Sequence, residues 1–254
     1  MATPIADQLH HKLLGQDFTG TDTAWPQEQL KALAELYAET EQAIAVLSDM
    51  QANRSYICYG GIAATLGISC PVQHKTIDSI WEEEIFSGTH PDDLQNKYFL
   101  ELQFFNTVKQ LPQAQRHGLF AIHPLRIRNR NNQYVTILHR IFYPRTSTPE
   151  ELRFALCLYT FPSYQALPPR NGCIVNPVTG ALIPADHNRS RNILSRREKE
   201  ILSWIDKGKM SKEIADLLSI SIHTVNRHRQ NILEKLHVSN AMEACRMARM
   251  MGVL

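Results

Sequence analysis

The stretch from Leu194 to Leu254 constrains this chain most, because short apolar-periodic runs alternate there with helix start and stop residues. Ser195 stands three residues before Glu198, the spacing of a capping box, at the head of a run whose Leu194, Glu198, Ile201, Leu202 and Ile205 share one helical face. Gly208 ends that helix, with Lys207 in its last turn. Ser211 is positioned to cap a second helix with a stripe of Ile214, Leu217 and Leu218. Ser221 or Thr224 caps a third, reaching Leu236, and Asn240 with Glu243 opens a fourth. Short helices joined by tight turns form a helix-turn-helix pattern.

The third helix is two-sided. Val225, Ile232 and Leu236 fall together, with Leu233 at their edge, and pack inward. The opposite side shows His223, Arg227, Gln230, Asn231 and Glu234, with Asn226 beside them. Arg can bridge guanine O6 and N7, and Asn or Gln can bridge adenine N6 and N7. A solvated polar face is the plain alternative for an isolated helix, and the neighbouring helices turn the reading toward DNA.

These residues resemble the LuxR/FixJ-type helix-turn-helix of bacterial transcription factors. The resemblance runs in one register through Leu194-Ser195, Arg197-Glu198, Glu200-Ile201-Leu202, Gly208, Lys212-Glu213-Ile214-Ala215, Leu218, Ile220-Ser221, Thr224-Val225, His228, Asn231-Ile232, Lys235-Leu236 and Val238. It implies a recognition helix at 223–236, a scaffold helix at 211–219 and a last helix for dimerisation. Asn226 replaces the family's usual Lys, which bears on base preference, and Trp204, Asp206 and Met210 replace small or aliphatic residues. Base-edge contacts are expected from Asn226, Arg227 and Gln230, and phosphate contacts from Lys212, Thr224 and Arg229. Arg229 lies near the apolar stripe and would reach a phosphate by snorkelling.

Charge follows the same division. From Arg189 onward there are 13 Lys and Arg against 7 Asp and Glu, a net +6; residues 1–188 carry 14 against 18, a net −4. The whole chain, at +2, hides a basic end suited to phosphate.

At 254 residues, two domains are the natural division, here 1–49 as an N-terminal arm and helix, 50–162 as a sensor, 163–190 as a Pro-rich linker and 191–254 as the helix-turn-helix domain. No apolar run reaches the roughly 18 residues a membrane helix needs, and no signal peptide is read at the N-terminus. The five cysteines are scattered without a CxxC, the pattern of free thiols in a reducing cytoplasm.

Residues 1–25 read as a loosely ordered or packed arm, and 27–50 as one helix. Within it Leu30, Leu33, Tyr37, Thr40, Ile44 and Leu47 form either a short coiled-coil seam or an amphipathic face. Ser55–Tyr59 is a strand, and 76–86 reads as helical, with Glu82-Glu83-Glu84 on a solvated face. Pro91 followed by Asp92 and Asp93 starts a longer helix that stops at Pro112. Alternating strands follow over 118–128 and 134–143 around an Asn129–Asn132 turn, then a last strand over 152–161. This order, with His90-Pro91-Asp92-Asp93-Leu94, is similar to a PAS domain over roughly 50–162. The resemblance implies an α+β fold, an antiparallel sheet with flanking helices, that binds a small molecule or serves as an interaction scaffold. The cysteine motif of flavin-binding light sensors is absent.

No phosphate-binding Gly loop, nucleophile elbow or zincin motif is present. His10-His11 reads as a flexible pair, and Arg126–Arg130 as a basic run before a turn. His123 and His139 face one another across predicted strands, within reach of a haem or metal, but core-satisfied histidines are the commoner case. No cofactor and no metal are assigned. The expectation is a cytoplasmic, non-enzymatic, homodimeric regulator of double-stranded DNA, with RNA polymerase and a small ligand at the PAS-like domain as further partners.

Overall fold

The structure, a computed structural model, describes residues 4–18, 27–68, 72–116, 118–144, 151–162, 167–185, 194–236, 238, 240–250 and 254. The chain divides into two compact units, Leu9–Ala185 and a second one of Met1–Gln8 with Asp186–Leu254.

The N-terminal stretch opens with a helix, α1 (Pro4–Leu14), with Ile5, Leu9 and Leu13 buried at helical spacing. His10 lies on it and accepts a hydrogen bond from Trp81 Nε1 at 3.0 Å, so His10 is part of the fold, while His11 is exposed. Gln16 bonds both backbone groups of Leu152 through its amide.

Helix α2 (Gln27–Thr40) buries Leu30, Ala34 and Ala38. It stops at Thr40, and Gln42 adopts a positive φ. Ile44–Asp49 is a strand, β1, so Ile44 and Leu47 belong to the sheet and not to a helical seam. The cause is burial on both sides: every residue of β1 is buried, and such a strand shows a continuous apolar run without alternation.

The remaining elements of this unit are β2 (Arg54–Tyr59), α3 (Ile62–Thr65), β3 (His74–Ile77), α4 (Glu83–Phe86), α5 (Pro91–Gln110), α6 (Gln113–Arg116), β4 (Phe120–Arg128), β5 (Tyr134–Phe142), β6 (Phe154–Thr160), β7 (Cys173–Val175) and β8 (Leu182–Pro184). Their sheet runs β3-β2-β1-β6-β5-β4-β7-β8, each pair antiparallel. One expectation changes here. Residues 76–86 hold the end of β3 and only a short helix, and Glu82 is buried while Glu83 and Glu84 are exposed. Strands β7 and β8 fall on the two short β segments that the sequence offers within the Pro-rich stretch, at Cys173–Val175 and 181–183, and they add that stretch to the edge of the sheet.

Register places the layers. Ala45 pairs with Leu158 and Leu47 with Leu156, and these side chains pack with Leu30, Ala34 and Ala38 of α2. The alternate residues His139, Cys157 and Tyr159 therefore stand on the other face, under α5. The start of α5 is fixed by the motif at 90–93. His90 caps the helix by accepting from Asp92 N, and its own N–H donates to Arg126 O at 2.8 Å. Asp93 accepts from Arg126 backbone N (2.9 Å), Nε (2.7 Å) and a terminal nitrogen (2.7 Å), pinning helix to β4. Arg126 and Arg128, which bonds Asn132, are thus engaged within the sheet unit.

The second unit holds α7 (Arg196–Asp206), α8 (Ser211–Leu218), α9 (Ile222–Leu236) and α10 (Ala241–Met250). Its core is Leu194, Ile201, Leu202, Ile214, Ala215, Val225, Ile232, Leu236, Ala244 and Ala248.

Candidate nucleic-acid interface

Each helix of this unit has a local stop or start. Ser195 caps α7, its Oγ accepting from Glu198 N while its own N–H donates to Glu198 Oε2 at 2.7 Å. Gly208 follows α7 at φ +78°, the left-handed turn a glycine takes without strain. Ser211 does not cap α8: Met210 occupies that position, and its N–H is satisfied by Glu213 at 2.8 Å. Of the two candidates for α9, Ser221 is the cap, accepting from Thr224 N at 3.1 Å. Asn240 caps α10 through Glu243 N. The stripe of α8 is Ile214 and Ala215, with Leu218 half-buried; Leu217 points outward, 51% exposed.

Ion pairs set the helices against each other. Glu198, buried at the base of α7, takes Lys235 Nζ from the end of α9 on both oxygens, at 2.9 and 2.8 Å. Burial alone would raise the Glu198 carboxyl, but the bonds from Lys235 and Ser195 outweigh it and hold it below its ordinary range. Arg197 donates to Leu218 O at 2.9 Å, linking α7 to the end of α8. Arg249 pairs with Asp206 at 2.6 Å, linking α10 to α7.

With α9 held in this way, Val225, Ile232 and Leu236 face the core. His223, Asn226, Arg227, Gln230 and Glu234 are exposed, and Asn231 is half-buried. Lys212 is exposed on α8. Thr224 is half-buried, its hydroxyl 2.9 Å from that of Ser221. Arg229 is half-buried and close enough to Cys245 on α10 to act on its thiol electrostatically, which accounts for its place at the edge of the apolar stripe. Exposed Asn, Arg and Gln on one face of a rigidly held helix form a donor and acceptor array matched to base edges.

The sheet unit carries a second group of polar residues, buried between α5 and the sheet. His123 and His139 are directly opposed in the β4–β5 register and both are buried. Lys97 Nζ lies 2.8 Å from Glu101 Oε1, and Glu101 Oε1 lies 3.7 Å from His139 Nε2. Glu82, Tyr143, Cys157 and Tyr159 act electrostatically on the same group. Sequence reasoning singled out the two histidines. It missed Glu101, Lys97 and Cys157, which no local motif joins.

Residues 192–248 match the family described as bacterial regulatory proteins, luxR family. The response regulatory protein YgeK of Escherichia coli, itself uncharacterized, is 48% identical over 64 residues, 25% of this chain and 44% of YgeK. The quorum-sensing regulator RhlR of Pseudomonas aeruginosa is 39% identical over 85 residues, 32% of this chain and 35% of RhlR. The chain thus spans less than half the length of these curated relatives, which are named as regulators and not as enzymes. A solved complex of phage VqmA with DPO covers 89% of both chains at 13% identity, with a TM-score of 0.26, too low to establish a shared architecture. The C-terminal unit of this chain carries a luxR-family helix-turn-helix domain.

Proposed function

We propose that the chain is a sequence-specific transcription regulator that inserts α9 into the DNA major groove. The observation that carries this reading is the exposed face of Asn226, Arg227 and Gln230 on a helix whose opposite face is locked by Val225, Ile232, Leu236 and the Lys235–Glu198 pair. Asn226, Arg227 and Gln230 read base edges. Lys212 and Thr224 touch phosphates, and Arg229 does so by extending past α10. Two copies pair through α10 and read a two-fold or nearly two-fold site. The protein works in the cytoplasm, with RNA polymerase as a downstream partner.

The sheet unit is the PAS-like sensor in this reading. An opening hairpin, helices, and a three-strand meander whose last strand returns beside the first support it, as does the motif at 90–93 that seats α5. In this reading a small ligand or a partner acts at the sheet unit; RhlR, similar over 85 residues, is named a quorum-sensing regulator. A second reading makes the sheet unit a ligand-free dimerisation or interaction scaffold. It draws on the filling of the core by Phe104, Phe154 and Tyr159, all fully buried.

The test compares Arg227→Ala with Lys212→Ala by binding the full chain to target and scrambled duplexes. Arg227→Ala loses discrimination, about 1–3 kcal/mol against the correct base. Lys212→Ala weakens all sequences alike and lowers the salt slope by about one. Uniform weakening by both variants would overturn the groove assignment.

A further inference from the structure

Glu101 of α5, His139 of β5 and Cys157 of β6 converge under α5. In the β5–β6 register Tyr159 lies opposite His139 and Cys157 opposite Ile141, so His139 and Cys157 are diagonal neighbours on one face. One donor atom from each of the three residues lies within 4.8 Å of the others, and all three residues are buried. His139 Nε2 has no hydrogen-bond partner, and Glu101 Oε1, although Lys97 approaches it at 2.8 Å, receives no aligned hydrogen bond. A buried nitrogen left without a partner is destabilising and calls for an occupant.

We propose that Glu101, His139 and Cys157 form a buried divalent-metal site of the zinc type. The donor set carries the argument. An ordered water would satisfy the imidazole and the carboxylate but gains little from a sulfur, whereas a carboxylate, an imidazole and a thiolate together suit a borderline dication. The 3.7 Å between Glu101 Oε1 and His139 Nε2 fits two ligands on one tetrahedral ion. Three protein donors leave the fourth position open. The hydroxyls of Tyr143 and Tyr159 are likewise buried without hydrogen-bond partners, within electrostatic range of Glu101.

A dication that binds as the Cys157 thiol gives up its proton to solvent adds one net positive charge beside the buried Glu101 and Lys97. Lys97 keeps a seat when Glu101 turns to the ion, because Phe86, Tyr98 and Trp81 present ring faces to its ammonium at 4.5, 5.2 and 5.9 Å. The site lies wholly in the sheet unit and does not rest on the DNA-binding reading.

The test is a Co²⁺ titration of the chelator-stripped full chain, followed by absorption. One Co²⁺ per chain, with tetrahedral d–d bands and a thiolate-to-cobalt charge-transfer band that Zn²⁺ displaces, is the expected result. Cys157→Ser abolishes the charge-transfer band and weakens Co²⁺ binding at least ~10–100-fold, the range already seen when outer partners of a metal ligand are lost. Cys58→Ser and Cys173→Ser leave both unchanged. X-ray absorption on the zinc-loaded wild-type chain needs no variant to fold: it shows one sulfur at about 2.3 Å beside nitrogen and oxygen at about 2.0–2.2 Å. A shell without sulfur, or a charge-transfer band that survives Cys157→Ser, overturns the proposal.

Discussion

The Glu198–Lys235 pair ties the foot of α7 to the end of α9, and its two halves sit in different surroundings. The Glu198 side chain is 3% exposed and that of Lys235 is 42% exposed. Removing either partner should therefore cost different amounts. Lys235→Met leaves a buried carboxylate with little beyond the Ser195 N–H and hydroxyl to hold it. Breaking a fully buried pair costs about 3–5 kcal/mol, and the half-wet lysine head discounts this to about 2 kcal/mol. Glu198→Gln keeps the shape and an oxygen for the cap, and frees an ammonium that water accepts at once, so it costs only about 1 kcal/mol.

Acid adds a second check. The folded-state carboxyl titrates below its ordinary value, so its contribution is fully present above about pH 4.3 and is lost as pH falls through the folded value. In Lys235→Met the pull of the ammonium is gone, so the same carboxyl titrates higher than in the wild type. The gap between wild type and this variant must close on acidification. Hydrogen exchange on the full chain, read by mass spectrometry over the α7 and α9 peptides, measures the opening free energy of this unit separately from the sheet. A Lys235→Met loss equal to or smaller than that of Glu198→Gln, or a gap that widens in acid, would mean that the buried Glu198 carboxylate does not depend on Lys235.

Further outcomes follow from the sheet unit. Burial pushes the Glu82 carboxyl from 4.5 up to about 7, so the folded state holds that proton longer than the unfolded one and stability falls as pH rises across this window. Glu82→Gln should then stabilise the sheet unit by up to about 3 kcal/mol at pH 8 and hardly at all at pH 4, read from denaturant midpoints. Asp93→Asn removes a charged acceptor of three hydrogen bonds and should cost about 2 kcal/mol, with faster exchange at the start of α5 and along β4. An unchanged melt and unchanged exchange in that variant would mean that the 90–93 motif does not seat the helix.

The C-terminal unit was legible because its helices are short, amphipathic and punctuated. Ser195, Gly208, Ser221 and Asn240 do locally what their side chains and backbones favour. The miss at Leu217 has a local cause: α8 has eight residues, and so short a wheel does not decide between Leu217 and Ala215 as the inward position. In the sheet, β4 buries alternate residues over most of its length and reads as a strand, whereas β1 is buried throughout and imitates a helix. Glu82 reads as a solvated acid in sequence because Glu83 and Glu84 beside it are solvated; only tertiary packing covers it. The cluster of Lys97, Glu101, His139 and Cys157 is the least legible part. Its members lie on α5, β5 and β6, and only the return of β6 beside β5 brings them together.

In the proposed function this chain reads DNA sequence through α9. Its most direct test is selection of the full chain against a random duplex pool at two salt concentrations, followed by sequencing of the bound fraction. An enriched motif with two-fold symmetry, and an affinity that falls steeply with salt, is the predicted result. Tight binding that enriches no motif, at either salt, would contradict it.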